Sequence, residues 1–156
     1  MTKICIVDTT FARVDMAKHA IEVLKNLMPD ALIIRRTVPG LKDIAIEIKR
    51  LMELEECDAG MVFGWVGREL VDKISYAAYS LAIQLVQIMI NKHIIDVTVH
   101  EDEAVDEHEL YRIAIDRAKK HAENLYYLLR RPEILVSYAG TGRRQGYPDV
   151  GPIEVR

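Results

Sequence analysis

With 156 residues, half of them apolar and 29% charged, the chain suits one globular domain whose core needs no disulfide staples. A formal net charge of −3 excludes the concentrated Lys/Arg excess that nucleic acid or an anionic membrane calls for, and the pairs Arg130-Arg131 and Arg143-Arg144 are too short to supply one. Cys5 and Cys57 stand in no metal or redox spacing and no export signal is seen, so the expectation is reduced structural cysteines in a cytoplasmic protein.

In chain order, Lys3 to Val7 reads as a short strand that exits through Asp8-Thr9-Thr10-Phe11. From Ala12 to Leu27, Val14, Ala17, Ile21, Leu24 and Leu27 recur at helical spacing until Met28-Pro29-Asp30 breaks the helix. Leu32 to Ile34 is a second strand, leaving through Arg35-Arg36-Thr37-Val38-Pro39-Gly40, and a second helix is expected from about Asp43 to Glu55. Asp43 lies near its start, where a carboxylate suits the helix dipole. Ala59 to Phe63 is a third strand, followed by the junction Gly64-Trp65-Val66-Gly67-Arg68.

Leu70 to Asn91 reads as a helix of about 33 Å with almost no polar face, which calls for burial on nearly every side. As a membrane span it is short and interrupted by Gln84 and Gln87. The expectation is a helix covered by its own sheet on one side and by another subunit on the other. Ile94 to Val99 forms a fourth strand, then an acidic loop leads to a helix from about Glu107 to Leu129 and a tail bearing Gly140, Gly142, Gly146 and Gly151. Four βα units imply an α/β fold: a four-stranded parallel sheet with helices on both faces and right-handed crossovers.

In such a sheet the strand exits lie side by side and line the crevice where ligands of open sheets bind. Phe11, one of only two phenylalanines, is placed there to stack on a flat ligand. No G-x-G-x-x-G follows the first strand and no P-loop occurs, so nucleotide binding loses its usual support. A phospho-acceptor receiver domain is disfavoured because the third strand ends in Phe63-Gly64, where the acceptor aspartate belongs. The acidic run from His100 to His108 lacks a tight metal-ligand spacing and reads as a solvated loop favouring the next helix's N-terminus. His100 differs, because it ends the fourth strand and joins the rim as a candidate proton shuttle. His19 and His121, mid-helix, read as surface or packing residues, and Arg117 alone as a surface ion-pair partner.

Several long segments resemble the lumazine synthase superfamily, and within it the archaeal riboflavin synthases: IVDTTFARVDMA, TVPGLKD, NKHIIDVTVHEDEA, RAKKHAENLYYLL and the closing GxGxRQG with DxGP. The resemblance implies a flavodoxin-like subunit, assembled as a homopentamer or a multiple of five with active sites between neighbours. It implies dismutation of two 6,7-dimethyl-8-ribityllumazine molecules to riboflavin and 5-amino-6-(ribitylamino)uracil. The pteridine substrate would be bound by Thr9, Thr10, Phe11 and Asp43, by Pro39, Gly40 and Leu41 along its ribityl chain, and by Gly64, Trp65, Val66 and Gly67 at its polar edge. His100 and Glu101 would be catalytic. Arg117 matches the arginine with which lumazine synthases hold a phosphate that the riboflavin synthase substrate lacks.

No resident cofactor or metal is implied, although a divalent cation such as magnesium stays open. Lumazine synthases carry a catalytic histidine after the third strand, and Gly64 to Glu69 contains none. Trp65-Val66 also stands where the archaeal enzymes suggest a Met-Pro-like pair. The alternatives are a lumazine synthase, joining aminoribityluracil to dihydroxybutanone phosphate, and a non-catalytic pentamer that binds lumazine or flavin.

Overall fold

Alternating apolar runs and amphipathic stretches produce, in the computed structural model, a four-stranded parallel sheet, described here over residues 1–155. The elements follow one another as β1 (Lys3–Thr9), α1 (Met16–Leu27), β2 (Leu32–Val38), α2 (Leu41–Leu54), β3 (Ala59–Val66), α3 (Leu70–Ile90), β4 (Ile94–His100), a 3-10 turn (Glu101–Glu103), α4 (Glu107–Arg130) and α5 (Pro132–Ser137). The strand order is β2-β1-β3-β4, all parallel. The chain therefore reverses its direction of winding between β1 and β3, the switch point at which open sheets bind ligands.

Period-two alternation divides the sheet between two cores. Ile4, Ile6, Met61, Phe63, Trp65, Val97 and Val99 face α1 and α4, whereas Cys5, Val7, Val62 and Val66 face α2 and α3. All eight residues of β3 are buried, as a central parallel strand covered on both faces requires. Each buried Val or Ile contributes roughly 1.5–3 kcal/mol of transfer free energy.

Several boundaries differ from those expected, each for a local reason. β3 continues past Phe63 to Val66 because Gly64, Trp65 and Val66 pair in register with Thr98, Val99 and His100. The Gly64 segment is therefore mostly strand. A Cβ at Gly64 would lie 2.9 Å from Thr98 Oγ1 and 3.0 Å from Leu41 Cδ2, so glycine is what lets α2 sit close to the sheet. α1 starts at Met16, four residues later than expected, because Asp15 caps it by accepting from Lys18 N at 3.1 Å. α2 starts at Leu41, two residues early, with the Asp43 carboxylate accepting from Gly40 N at 3.1 Å. Pro132 opens a short α5 at the N-terminal position that tolerates proline.

The expected reduced cysteines are instead bonded to each other. Cys57 precedes the start of β3, which runs beside β1, and this brings its Cα within 6.0 Å of Cys5, inside the range a disulfide spans. Both are fully buried. A pairing across 52 residues has no local spacing by which the sequence could announce it.

α3 buries only Tyr79, Ile83 and Val86 within the subunit, while Leu70, Val71, Ile74, Leu81, Leu85, Ile88 and Met89 are exposed. By length and composition this one helix could cross a membrane. The exposed residues form the side turned away from its own sheet.

Candidate active site

The parallel register sets the ends of the four strands in a row. Between the exits of β1, β2 and β3 lies a cleft of about 270 Å³, and among its lining residues are Phe11, Gly40, Leu41, Asp43, Val66 and Gly67. Phe11 is 52% exposed although it sits beside two buried cores, so its ring is available to a ligand. The bend that carries it is held locally: Thr9 Oγ1 accepts from Ala12 N at 3.2 Å, Thr10 N donates to Val38 O at 2.9 Å, and Thr10 Oγ1 donates to Pro39 O at 3.3 Å. Thr9, Thr10 and Pro39 thus shape the exits without lining the cleft, and Thr9 is buried.

Two helix N-termini open onto the cleft. At α2, Asp43 caps Gly40 N, and at α3, Asp72 Oδ2 accepts from Glu69 N at 3.0 Å. The Asp72 carboxylate occupies the place a Cβ at Gly67 would take, so Gly67 permits its approach. Lys42, Asp72 and Ser75 line the cleft and were missed by sequence reasoning. Their only signal was position, in the first turn of α2 and the first two turns of α3.

Trp65 borders the cleft but contributes little side-chain surface to it, because its indole is 1% exposed within the core beneath α1 and α4. Trp65 Nε1 donates to Glu101 Oε1 at 3.0 Å, and Arg13 Nη1 donates to the same oxygen at 3.2 Å. The Trp65 and Arg13 hydrogen bonds hold the Glu101 carboxyl below the ordinary carboxylate range. Glu101 is therefore a fixed anion at the end of β4, bracing β3 and the connection from β1 to α1.

His100 does not line the cleft, but its Cα pairs in register with Val66, which does. Its imidazole stands edge-on to the Tyr76 ring at 4.6 Å between centroids, and Lys73 Nζ donates to its Nδ1 at 3.0 Å. Lys73 also pairs with Asp102 at 2.9 Å. Partial burial and the Lys73 ammonium hold the imidazole below its ordinary pKa and so favour the neutral form, with Nδ1 as the acceptor of the Lys73 hydrogen bond.

Beneath the cleft, Tyr79 Oη and Thr98 Oγ1 both donate to Asp96 Oδ1, at 2.8 and 2.5 Å. Burial pushes the Tyr79 hydroxyl well above its ordinary value and raises Asp96, while these two donors partly offset the latter. Among the described residues no three His, Cys, Asp or Glu side chains gather in a metal-holding group.

Arg117, expected at the surface, is 3% exposed. Its Nη1 and Nη2 form a two-pronged pair with Glu103 at 2.8 Å each, Nη1 also donates to Thr98 O at 2.9 Å, and Nε donates to Gly146 O at 3.0 Å. The acidic segment is correspondingly less solvated than its composition suggests, since Glu101, Asp102 and Glu103 each have a cationic partner. Burial works against Glu103, but the Arg117 hydrogen bonds prevail and keep its carboxyl low.

Residues 1–132 match the family model described as 6,7-dimethyl-8-ribityllumazine synthase, and the match spans the whole sheet and every cleft residue. The chain belongs to this lumazine synthase family. Its relatives include proteins named riboflavin synthase from Aeropyrum pernix, 53% identical over 96% of each chain, and from Archaeoglobus fulgidus, 49% identical over 97% of this chain and 98% of the relative. One from Methanothermobacter marburgensis is 46% identical over 98% of this chain and all of the relative. The family match and the β2-β1-β3-β4 sheet agree with the lumazine synthase-like fold that the sequence motifs imply.

Proposed function

We propose that this member of the lumazine synthase family is a riboflavin synthase that converts two molecules of 6,7-dimethyl-8-ribityllumazine into riboflavin and 5-amino-6-(ribitylamino)uracil. The observation that carries the choice is the engagement of Arg117. In a lumazine synthase this arginine would hold the phosphate of dihydroxybutanone phosphate. Here its guanidinium is filled by Glu103 and two backbone carbonyls of its own chain and is nearly inaccessible. The β3 exit agrees, because Gly64 to Val66 is buried strand and no histidine follows it before α3. The curated relatives' names point the same way.

In this reading one lumazine ring stacks on Phe11, its ribityl chain runs along Gly40 and Leu41, and its polar edge meets Val66 and Gly67. The electron-poor ring acidifies the C7 methyl, so a mild base suffices to remove a proton. His100, neutral and beside the β3 exit, is that base once Lys73 turns wholly to Asp102, which frees Nδ1 to take the methyl proton and later return it to the product. The resulting carbanion attacks the second lumazine and a four-carbon unit passes between the two. The products together contain all the atoms of the two substrates, so no oxidant or reductant enters and no redox cofactor is required. Holding the two rings in reactive contact can supply on the order of 7–11 kcal/mol, and positioned proton transfer about 10²–10⁴-fold more in rate.

The working form would be a homopentamer or a multiple of five, in which a neighbouring copy covers the exposed face of α3. Neither nucleic acid nor a membrane would be a partner. A cytoplasmic setting is compatible with the disulfide because burial shields both sulfurs from reductant.

The family match to lumazine synthase itself makes that activity the second reading. Purified protein incubated with dimethylribityllumazine alone should form riboflavin. Lumazine produced only from aminoribityluracil and dihydroxybutanone phosphate would establish the second reading. Binding without either product would make the protein a carrier.

A further inference from the structure

We propose that Arg117 is a positioning residue that latches the C-terminal segment to the strand end carrying His100, so that the tail sets where the imidazole stands. The proposal rests on the riboflavin synthase reading for its catalytic consequence. Its structural basis is an unbroken path of hydrogen bonds. Gly146 O in the tail accepts from Arg117 Nε at 3.0 Å, the Arg117 fork grips both oxygens of Glu103 at 2.8 Å, and Glu103 Oε2 accepts from the backbone N–H of His100 at 2.8 Å. The same guanidinium reaches Thr98 O at 2.9 Å, two residues before His100 on β4. Arg117 thus holds the catalytic segment on both sides of the imidazole.

The tail is shaped to deliver its end of this path. Val150 N donates to Gly142 O at 3.0 Å and Arg144 N to Asp149 Oδ1 at 2.9 Å, closing residues 142–150 into a loop. Tyr147 lies against both Arg117 and Arg144, with guanidinium carbons 4.0 and 4.7 Å from its ring centroid. Gln145 Nε2 donates to His121 Nδ1 at 2.8 Å, and His121, lowered to about 4 chiefly by burial, remains neutral beside Arg117. At Gly146 the backbone has φ +73°, and a Cβ would stand 2.6 Å from Arg117 Cγ and 2.7 Å from His121 Nε2. Only glycine allows its carbonyl to approach Arg117 this way. An arginine whose role was simply to neutralise Glu103 would require none of this.

Gly146→Ala tests the latch in the full chain without removing a charge. The groups facing His100 are Lys73 and Tyr76 of α3, Asp102 and Glu103 of its own segment, and Arg117 of α4. Arg117 lowers the imidazole pKa and Glu103 raises it, so freeing Glu103 from the fork moves it upward.

The expected result is a kcat about tenfold lower with KM within about twofold, and an acid limb of the kcat–pH profile moved to higher pH. Arg117→Lys keeps the charge but not the fork, so it should lose kcat similarly with a smaller movement of that limb. It also answers if Gly146→Ala does not fold. Folded variants with unchanged kcat and acid limb would overturn the proposal. So would a rise in KM alone, which would make Arg117 a substrate contact.

If the wild-type protein formed no riboflavin, the functional reading would fail by itself. The latch would then be judged from the His100 imidazole proton–carbon resonance. Its titration midpoint should rise in Gly146→Ala, and an unmoved midpoint would reject the latch.

Discussion

On the proposed reading, Phe11 would be the stacking surface of the cleft and His100, at the neighbouring strand end, its base. Phe11 is half-exposed and packs against little, so Phe11→Ala should weaken lumazine binding about tenfold while changing the melting temperature hardly at all, as titration calorimetry and thermal unfolding would register. The reverse pattern would make Phe11 a packing residue. For His100, burial and Lys73 favour the neutral form, so the wild-type rate should hold through neutral pH and decline only as pH falls below the ordinary histidine value of 6.5. His100→Ala should lower single-turnover rate by about 10²–10⁴-fold at saturating lumazine and abolish that acid limb. Their placement was legible in the sequence, because Phe11 closely follows the first apolar run and His100 closes the fourth. Glu101 and Trp65 were expected as a catalytic and a substrate-binding residue, and the structure pairs them with each other. Their hydrogen bond joins residues 36 apart through the β3–β4 register, which no local pattern encodes.

The four strands and the four long helices followed from their periodicity, whereas α5 and the 3-10 turn were not foreseen and the ends of the elements followed from capping and pairing. β3 shows the limit: Gly64 and Gly67 punctuate the sequence like a loop, yet their lack of a Cβ serves close packing against Thr98, Leu41 and Asp72. The Cys5–Cys57 bond lies at the same scale, fastening β1 to the segment that leads into β3. By loop-closure entropy a cross-link over about 52 residues should contribute about 4 kcal/mol. Cys57→Ser should therefore shift the urea midpoint down markedly while leaving the cleft's ligand affinity intact, and an unchanged midpoint would show the bond to be absent or dispensable. Arg117 was misread as a surface residue because its burial comes from the tail folding back over α4, a contact between residues 29 apart.

For the whole molecule, the exposed apolar face of α3 is the largest departure from a self-sufficient subunit. Leu81, Leu85, Ile88 and Met89 are each more than half exposed, an arrangement that favours association in water. If a neighbouring copy covers this face, Ile88→Glu should shift the sedimentation profile from the assembly toward monomer and reduce turnover with it. Retained assembly would place the interface elsewhere. The central claim is that one protein, given one substrate, exchanges a four-carbon unit between two copies of it. The direct measurement is product stoichiometry in a reaction containing only the protein and 6,7-dimethyl-8-ribityllumazine. The account predicts riboflavin and 5-amino-6-(ribitylamino)uracil in equal amounts, with two lumazines consumed for each pair. No riboflavin under these conditions, or riboflavin without the uracil, would contradict it.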